Sequence, residues 1–188
     1  MSRRPFINAP HDGREKMGTV KQGWVGRFFE DFTEGDIYRS RIGRTITEAD
    51  NIQFTLLTNN TNQIHFNAHY ASRTEFKRPL VNSALTLSVV AGLGVVDVSE
   101  NGFALGWDYI KLPNPVFPGD TLYSESEVIS TRESKSRPEQ GVVKIRTRGM
   151  NQNGQVVIEY ERSVMVWKRS HAPLIALFPE PKDGAGRS

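Results

Sequence analysis

Residues 60–87, NTNQIHFNAHYASRTEFKRPLVNSALTL, decide how this chain folds and what stands at its centre. One histidine, His65, lies between Ile64 and Phe66, with the amides Asn60 and Asn62 just upstream. A polar stretch and Pro79 follow, and then an apolar run that opens on small residues. From Ser83 to Val96 the apolar positions (Leu85, Leu87, Val89, Val90, Leu93, Val95) point in nearly every helical direction. A helix that is apolar all round belongs in a core, so the pattern predicts one long buried helix over 83–96. Ala84, Ala91, Gly92 and Gly94 let other backbones approach it closely.

Upstream, residues 28–46 (FFEDFTEGDIYRSRIGRTI) read as a Gly35-Asp36 turn followed by an extended run. Thr47 with Asp50 forms an N-cap signal, and Ile52, Thr55 and Leu56 recur at helical spacing, which predicts a short helix over 48–58. Asn59 to Asn62 breaks it, because asparagines favour turns. Downstream the chain is strand-like. Val143, Ile145 and Thr147 alternate with Lys144, Arg146 and Arg148, and Asn153-Gly154 signals a two-residue hairpin turn before 156–167. A buried helix followed by long antiparallel strands is an α+β arrangement, a curved sheet wrapped around one helix.

Composition bounds the rest. A chain of 188 residues with 37% hydrophobic content suits a single domain. Residues 1–23 read as a flexible arm, 24–170 as the domain, and 171–188 as a tail whose Leu174, Ile175, Leu177 and Phe178 pin its first half. No apolar run approaches the roughly 20 residues of a membrane span, and the N-terminus lacks a signal peptide's apolar core. The absence of cysteine removes disulfides and thiolate chemistry and fits a cytoplasmic setting. A net charge of +3, spread along the chain, gives no basic stripe for nucleic acid.

Four segments in order carry a family resemblance: FEDFTEGDIY (29–38), TITEADNIQFTLLTNNTNQIHFNAHYA (45–71), PLVNSALTLSVVAGL (79–93) and LPNPVFPGDTLYSESEV (112–128). SRPEQGVVKIRTRGMNQNGQVV (136–157) closes the pattern. The chain resembles the MaoC-like hydratases and dehydratases, and within them the subgroup acting on mesaconyl-CoA or itaconyl-CoA. The resemblance implies a single hot-dog domain. It implies a hydro-lyase acting on an enoyl thioester, with coenzyme A as part of the substrate and no separate cofactor. It also implies a homodimer or higher homo-oligomer. The family's usual loop has an aspartate, an asparagine two residues later and a histidine five residues after the aspartate. Here those places hold Asn60, Asn62 and His65, so the histidine and the middle asparagine match and the aspartate does not. Asn67 stands where a second aspartate is frequent, and Asn82-Ser83 stands where a glycine usually opens the central helix.

Hydrating an enoyl thioester builds negative charge on the thioester oxygen, which preorganised N–H donors must hold. The resemblance and the helix start together assign that task to the backbone N–H of Ser83, helped by the helix dipole. His65 is the natural base near neutral pH. An amide cannot be a base, so Asn60 orients water, or fixes the ring tautomer, with Asn62 and Asn82 as further positioning groups. A carboxylate from Asp50 or Glu75 would restore a two-residue acid/base pair. Lys77, Arg78 and Arg137 are the candidates for coenzyme A phosphates, with Arg73, Lys135, Arg146 and Arg148 behind them. For each of these cations a solvated basic face is the competing reading. Asp120 in Pro118-Gly119-Asp120 has turn chemistry. His65 and His69 lack a placed third ligand, so no metal site is expected. Against the hydratase stand two other readings. One is an acyl-thioester binding module that has lost its chemistry. The weaker is a thioesterase, for which residues 83–96 offer no carboxylate on the helix.

Overall fold

The computed structural model describes residues 19, 21 and 23–173, and every element below lies in the compact unit Val25–Ile175. The expected arm and the apolar residues Leu174, Ile175, Leu177 and Phe178 of the tail lie outside the described residues, except for positions 19, 21 and 23 of the arm.

A short 3-10 turn at Phe29–Asp31 leads through a turn at Gly35 (φ 87°) into strands β1 (Ile37–Arg39) and β2 (Arg44–Thr45). Helix α1 (Glu48–Leu57) follows, then a single-turn helix α2 (Ala68–Ala71) and the central helix α3 (Ser83–Leu93) with its short continuation α4 (Val95–Val98). Four long strands complete the chain: β3 (Gly102–Lys111), β4 (Thr121–Glu133), β5 (Gln140–Met150) and β6 (Val156–Trp167). They form one antiparallel sheet in the order β1-β4-β5-β6-β3, with β2 also paired to β4. A shift of register between Val128 and Ser130 disrupts the ladder of β4. This is the α+β hot-dog arrangement, with α3 laid on the inner face of the sheet.

Sequence accounts for these elements one by one. Thr47 caps α1 in a reciprocal box: its hydroxyl accepts the Asp50 N–H at 3.1 Å, and Asp50 Oδ2 accepts the Thr47 N–H at 2.8 Å. Strand β5 buries Val143, Ile145 and Thr147, as their alternation requires. At Gly149 α3 packs tightly on the sheet, because a Cβ there would stand 2.6 Å from Val90 Cγ2 and from Ile158 Cγ2. Only glycine leaves that space, so Val90 sits fully buried against the strand.

Three expectations change. The run 83–96 is two helices, broken at Gly94, which takes φ −89° and ψ −7° as the cap between them. It is buried on one face only: Leu85, Thr86 and Val90 are inside, whereas Val95 and Val96 are 38% and 50% exposed. The Asn153-Gly154 turn is longer than two residues. The Asn151 N–H donates to the Gln155 carbonyl at 3.0 Å, so Gln152–Gly154 forms a three-residue loop with Gly154 at φ 74°. Asn151 drives this, since its Oδ1 accepts the N–H groups of Asn153 and Gln155.

Candidate active site

His65 closes a 3-10 turn, Gln63–His65, that its neighbours build. Asn59 takes φ 52°, which asparagine tolerates, and turns the chain out of α1. The Asn60 Oδ1 then accepts the Asn62 N–H at 3.0 Å, and the Asn62 Oδ1 accepts the Ile64 N–H at 3.2 Å. Both asparagine carbonyls are therefore spent on the turn. Their NH2 groups have no partner among the described residues. Asn67 does a similar job one turn later, capping α2 by accepting the Tyr70 N–H at 3.0 Å.

The His65 ring is only 7% exposed, and its Nδ1 lies 2.8 Å from the Leu80 carbonyl oxygen. A carbonyl only accepts, so Nδ1 carries the proton and Nε2 keeps its lone pair as a base. The tautomer is therefore fixed by the backbone of Leu80, and not by Asn60 or Asn62 as the sequence suggested. Nor does Asp50 supply a carboxylate: its oxygens are taken by Thr47 and by Arg44 at 2.8 Å, which hold its pKa below the ordinary carboxylate value. Among the described residues no carboxylate, Glu75 included, hydrogen-bonds to His65.

One side chain absent from the sequence reading connects the parts. Asn51 on α1 is fully buried. Its Nδ2 donates to the His65 carbonyl at 2.8 Å and to the Leu80 carbonyl at 3.1 Å, and its Oδ1 accepts the Asn82 N–H at 2.8 Å. Thr55, four residues on and also fully buried, meets Asn82 Nδ2 at 3.4 Å. The available signal was the spacing of Asn51 and Thr55, two polar groups on one stripe of a helix.

Asn82 is 3% exposed and caps α3, its Oδ1 accepting the Ala84 N–H at 3.0 Å. Ser83 is thus the first helical residue, and its own N–H has no partner among the described residues, as expected for the first amide of a helix. Ser83 lines a cavity of about 290 Å³ with Leu80, Thr86, Phe76, Leu112 and Val116. His65 itself does not line this cavity and adjoins it through Leu80. A second cavity of about 350 Å³, between Arg41–Arg44 and the end of α3, contains none of the expected site residues.

The candidate phosphate-binding cations divide into two groups. The Arg78 guanidinium stacks 3.8 Å from the Phe117 ring centre beside the Phe76 edge of the first cavity, and Lys77 next to it takes φ 60°. Arg137 stacks more loosely, 5.5 Å from Phe103. Arg146 and Arg148 are instead engaged on the outer face of the sheet, by Glu161 at 2.8 Å and Glu159 at 3.1 Å. Asp120 is a turn residue: its Oδ2 accepts the Phe117 N–H at 2.9 Å and its Oδ1 accepts from Gln152 at 3.0 Å.

Fold and site together define a MaoC-like hot-dog domain of the hydratase/dehydratase class. A family model described as mesaconyl-CoA hydratase matches residues 14–174, and the chain belongs to that family. It is 36% identical over 149 residues to the mesaconyl-CoA hydratase of Cereibacter sphaeroides, an alignment covering 79% of this chain and 43% of that one. It is 31% identical over 139 residues to the (R)-specific enoyl-CoA hydratase of Rhodospirillum rubrum, covering 74% of this chain and 91% of the relative. A crystal structure of a MaoC domain dehydratase from Chloroflexus aurantiacus superimposes with a TM-score of 0.76 at 34% identity, covering 86% of this chain and 47% of the other. The chain thus spans less than half the length of its mesaconyl-CoA hydratase relative and nearly the whole of the R. rubrum enzyme.

Proposed function

We propose that this chain adds water across, or removes it from, the 2,3 double bond of a short enoyl-CoA, branched or dicarboxylic as in mesaconyl-CoA or itaconyl-CoA. The observation that carries the reading is a buried histidine whose Nδ1 donates to the Leu80 carbonyl, beside the cavity that Leu80 lines together with Ser83, the first residue of a helix. In hydration, Nε2 takes a proton from water as its oxygen bonds to the β-carbon. Charge moves onto the thioester oxygen, where the Ser83 N–H and the α3 dipole hold it. His65 then returns its proton to the α-carbon, acting as acid after base. The free NH2 of Asn60 orients the water.

The coenzyme A moiety belongs to the substrate and no further cofactor enters the reaction. Lys77 and Arg78, which follow the cavity-lining Phe76 in the chain, suit its phosphates, with Arg137 as a further contact. The reading includes a homodimer or higher homo-oligomer, supported by β3, an edge strand whose Phe103, Leu105, Trp107 and Ile110 are between 42% and 48% exposed. No helix among the described residues is long and apolar enough to cross a membrane, which accords with a cytoplasmic enzyme.

The test is hydration of crotonyl-, mesaconyl- and itaconyl-CoA, followed by loss of the conjugated thioester absorbance. Wild type is expected to turn over at least one of them, and His65→Ala to lose about 10²- to 10⁴-fold in kcat. Binding of all three without turnover would instead leave a thioester-binding module.

A further inference from the structure

We infer that Asn51 is the positioning residue that holds the base and the oxyanion-binding amide at one fixed separation. The inference rests on the roles given above to His65 and Ser83. The base and the amide come from three segments, the turn Gln63–His65, the loop at Leu80 and the start of α3, and the turn and the loop share one backbone bond, from the Leu80 N–H to the Ile64 carbonyl at 3.0 Å. Asn51 reaches all three from a fourth segment, α1, and every one of its bonds is to backbone. Its two N–H groups fix the His65 and Leu80 carbonyls. Its oxygen fixes the Asn82 N–H, one residue before the Ser83 amide.

The arrangement has a specific logic. The Leu80 carbonyl receives both the Asn51 amide and the His65 ring, so the group that sets the tautomer is itself held by Asn51. An asparagine is required chemically, because the three bonds need two donors and one acceptor on a single short side chain. Asn51 is fully buried, so a missing partner is not readily replaced by bulk water: the His65 carbonyl and the Asn82 N–H would be left unpaired, and the Leu80 carbonyl would keep only the His65 ring. A residue that touches no substrate still governs the reaction, since a misplacement of about 1 Å between reacting groups costs about 10²-fold in rate.

The experiment compares wild type with Asn51→Leu, which fills the volume, and Asn51→Ser, which restores one donor and one acceptor. Val164→Ala, a fully buried core position on β6, controls for lost stability alone. Each protein is assayed for kcat and KM on the enoyl-CoA panel, and the ring nitrogen shifts of His65 are read by NMR on 15N-histidine-labelled full-length chain. Asn51→Leu is expected to lower kcat about 100-fold with KM within about threefold. The signature of a fixed Nδ1–H tautomer should be lost with it. Asn51→Ser should recover part of both, and Val164→Ala should lower Tm with the tautomer intact. An Asn51→Leu protein with wild-type kcat and unchanged nitrogen shifts overturns the inference, as does a loss confined to KM. If wild type hydrates no enoyl-CoA, the functional reading fails on its own, and the nitrogen shifts alone decide whether Asn51 sets the ring. If Asn51→Leu does not fold, Asn51→Ser carries the same comparison.

Discussion

Arg162 is a buried cation with little to pair with among the described residues. It lies on the inner face of β6 at 5% exposure, with Nη2 at a long 3.5 Å from Ser99 Oγ and with Nε unpaired. Burial pushes the guanidinium below its ordinary range, and no carboxylate among the described residues balances it. Arg162→Met should therefore raise the urea midpoint, stabilising the domain by about 1–2 kcal/mol. A lower midpoint would mean that the charge meets a partner in the assembled protein. At the same scale Asn60→Ala should lower kcat about tenfold, the equivalent of one hydrogen bond to water, with Tm little changed. His65, Asn60 and Ser83 could be picked out of the sequence because they sit at a loop and a helix start of recognisable pattern. Asn51 was harder to read: its spacing with Thr55 was a signal, but an amide in EADNIQFTLL, two residues from Gln53, reads as surface until the backbone groups folded over it give it a role. The Leu80 contact was equally hidden, since a carbonyl has no sequence signature.

Among the elements, α1 departs most from its pattern. Ile52, Thr55 and Leu56 recur at helical spacing, and Thr55 is fully buried, but so is Asn51, while Leu56 and Leu57 are 61% and 82% exposed. The helix faces unpaired backbone groups, which need donors and acceptors more than they need methyls. Its cap was legible, and Thr47→Ala should cost about 1 kcal/mol of unfolding free energy in a denaturant melt. The central helix was legible as apolar but not in its orientation, because periodicity cannot reveal which face another chain or a substrate will cover. Strand β3 went unread. Its register slips between Ala104 and Gly106 and again between Trp107 and Tyr109, and those slips spoil the alternation that marks a strand. Where α3 meets β5, Gly149→Ala should force Val90 and Ile158 apart and cost about 1–3 kcal/mol, seen as a lower Tm.

Across the whole molecule, the outer face of the sheet carries a ladder of opposite charges. Glu159 is held below its ordinary value of 4.5 mainly by Arg148, and Glu161 mainly by Arg146 and then Lys144. A carboxylate whose folded pKa lies below its unfolded one stabilises the fold above the unfolded value, and that gain is lost as pH falls through the folded value. Tm should therefore decline as pH drops below about 4.5, and less steeply at high salt, which already screens these exposed pairs. Light scattering should return a dimer mass, and a charge introduced at Trp107 on the β3 edge should lower it. The groups to which the proposed hydration assigns the base, the water and the oxyanion all fall in one unbroken stretch, from Asn51 to Ser83, between β2 and β3. The sheet contributes none of them. Scaffold and proposed catalyst are in that sense separable: an exposed substitution within this stretch can silence the proposed chemistry while every strand pairing of the sheet stays in place.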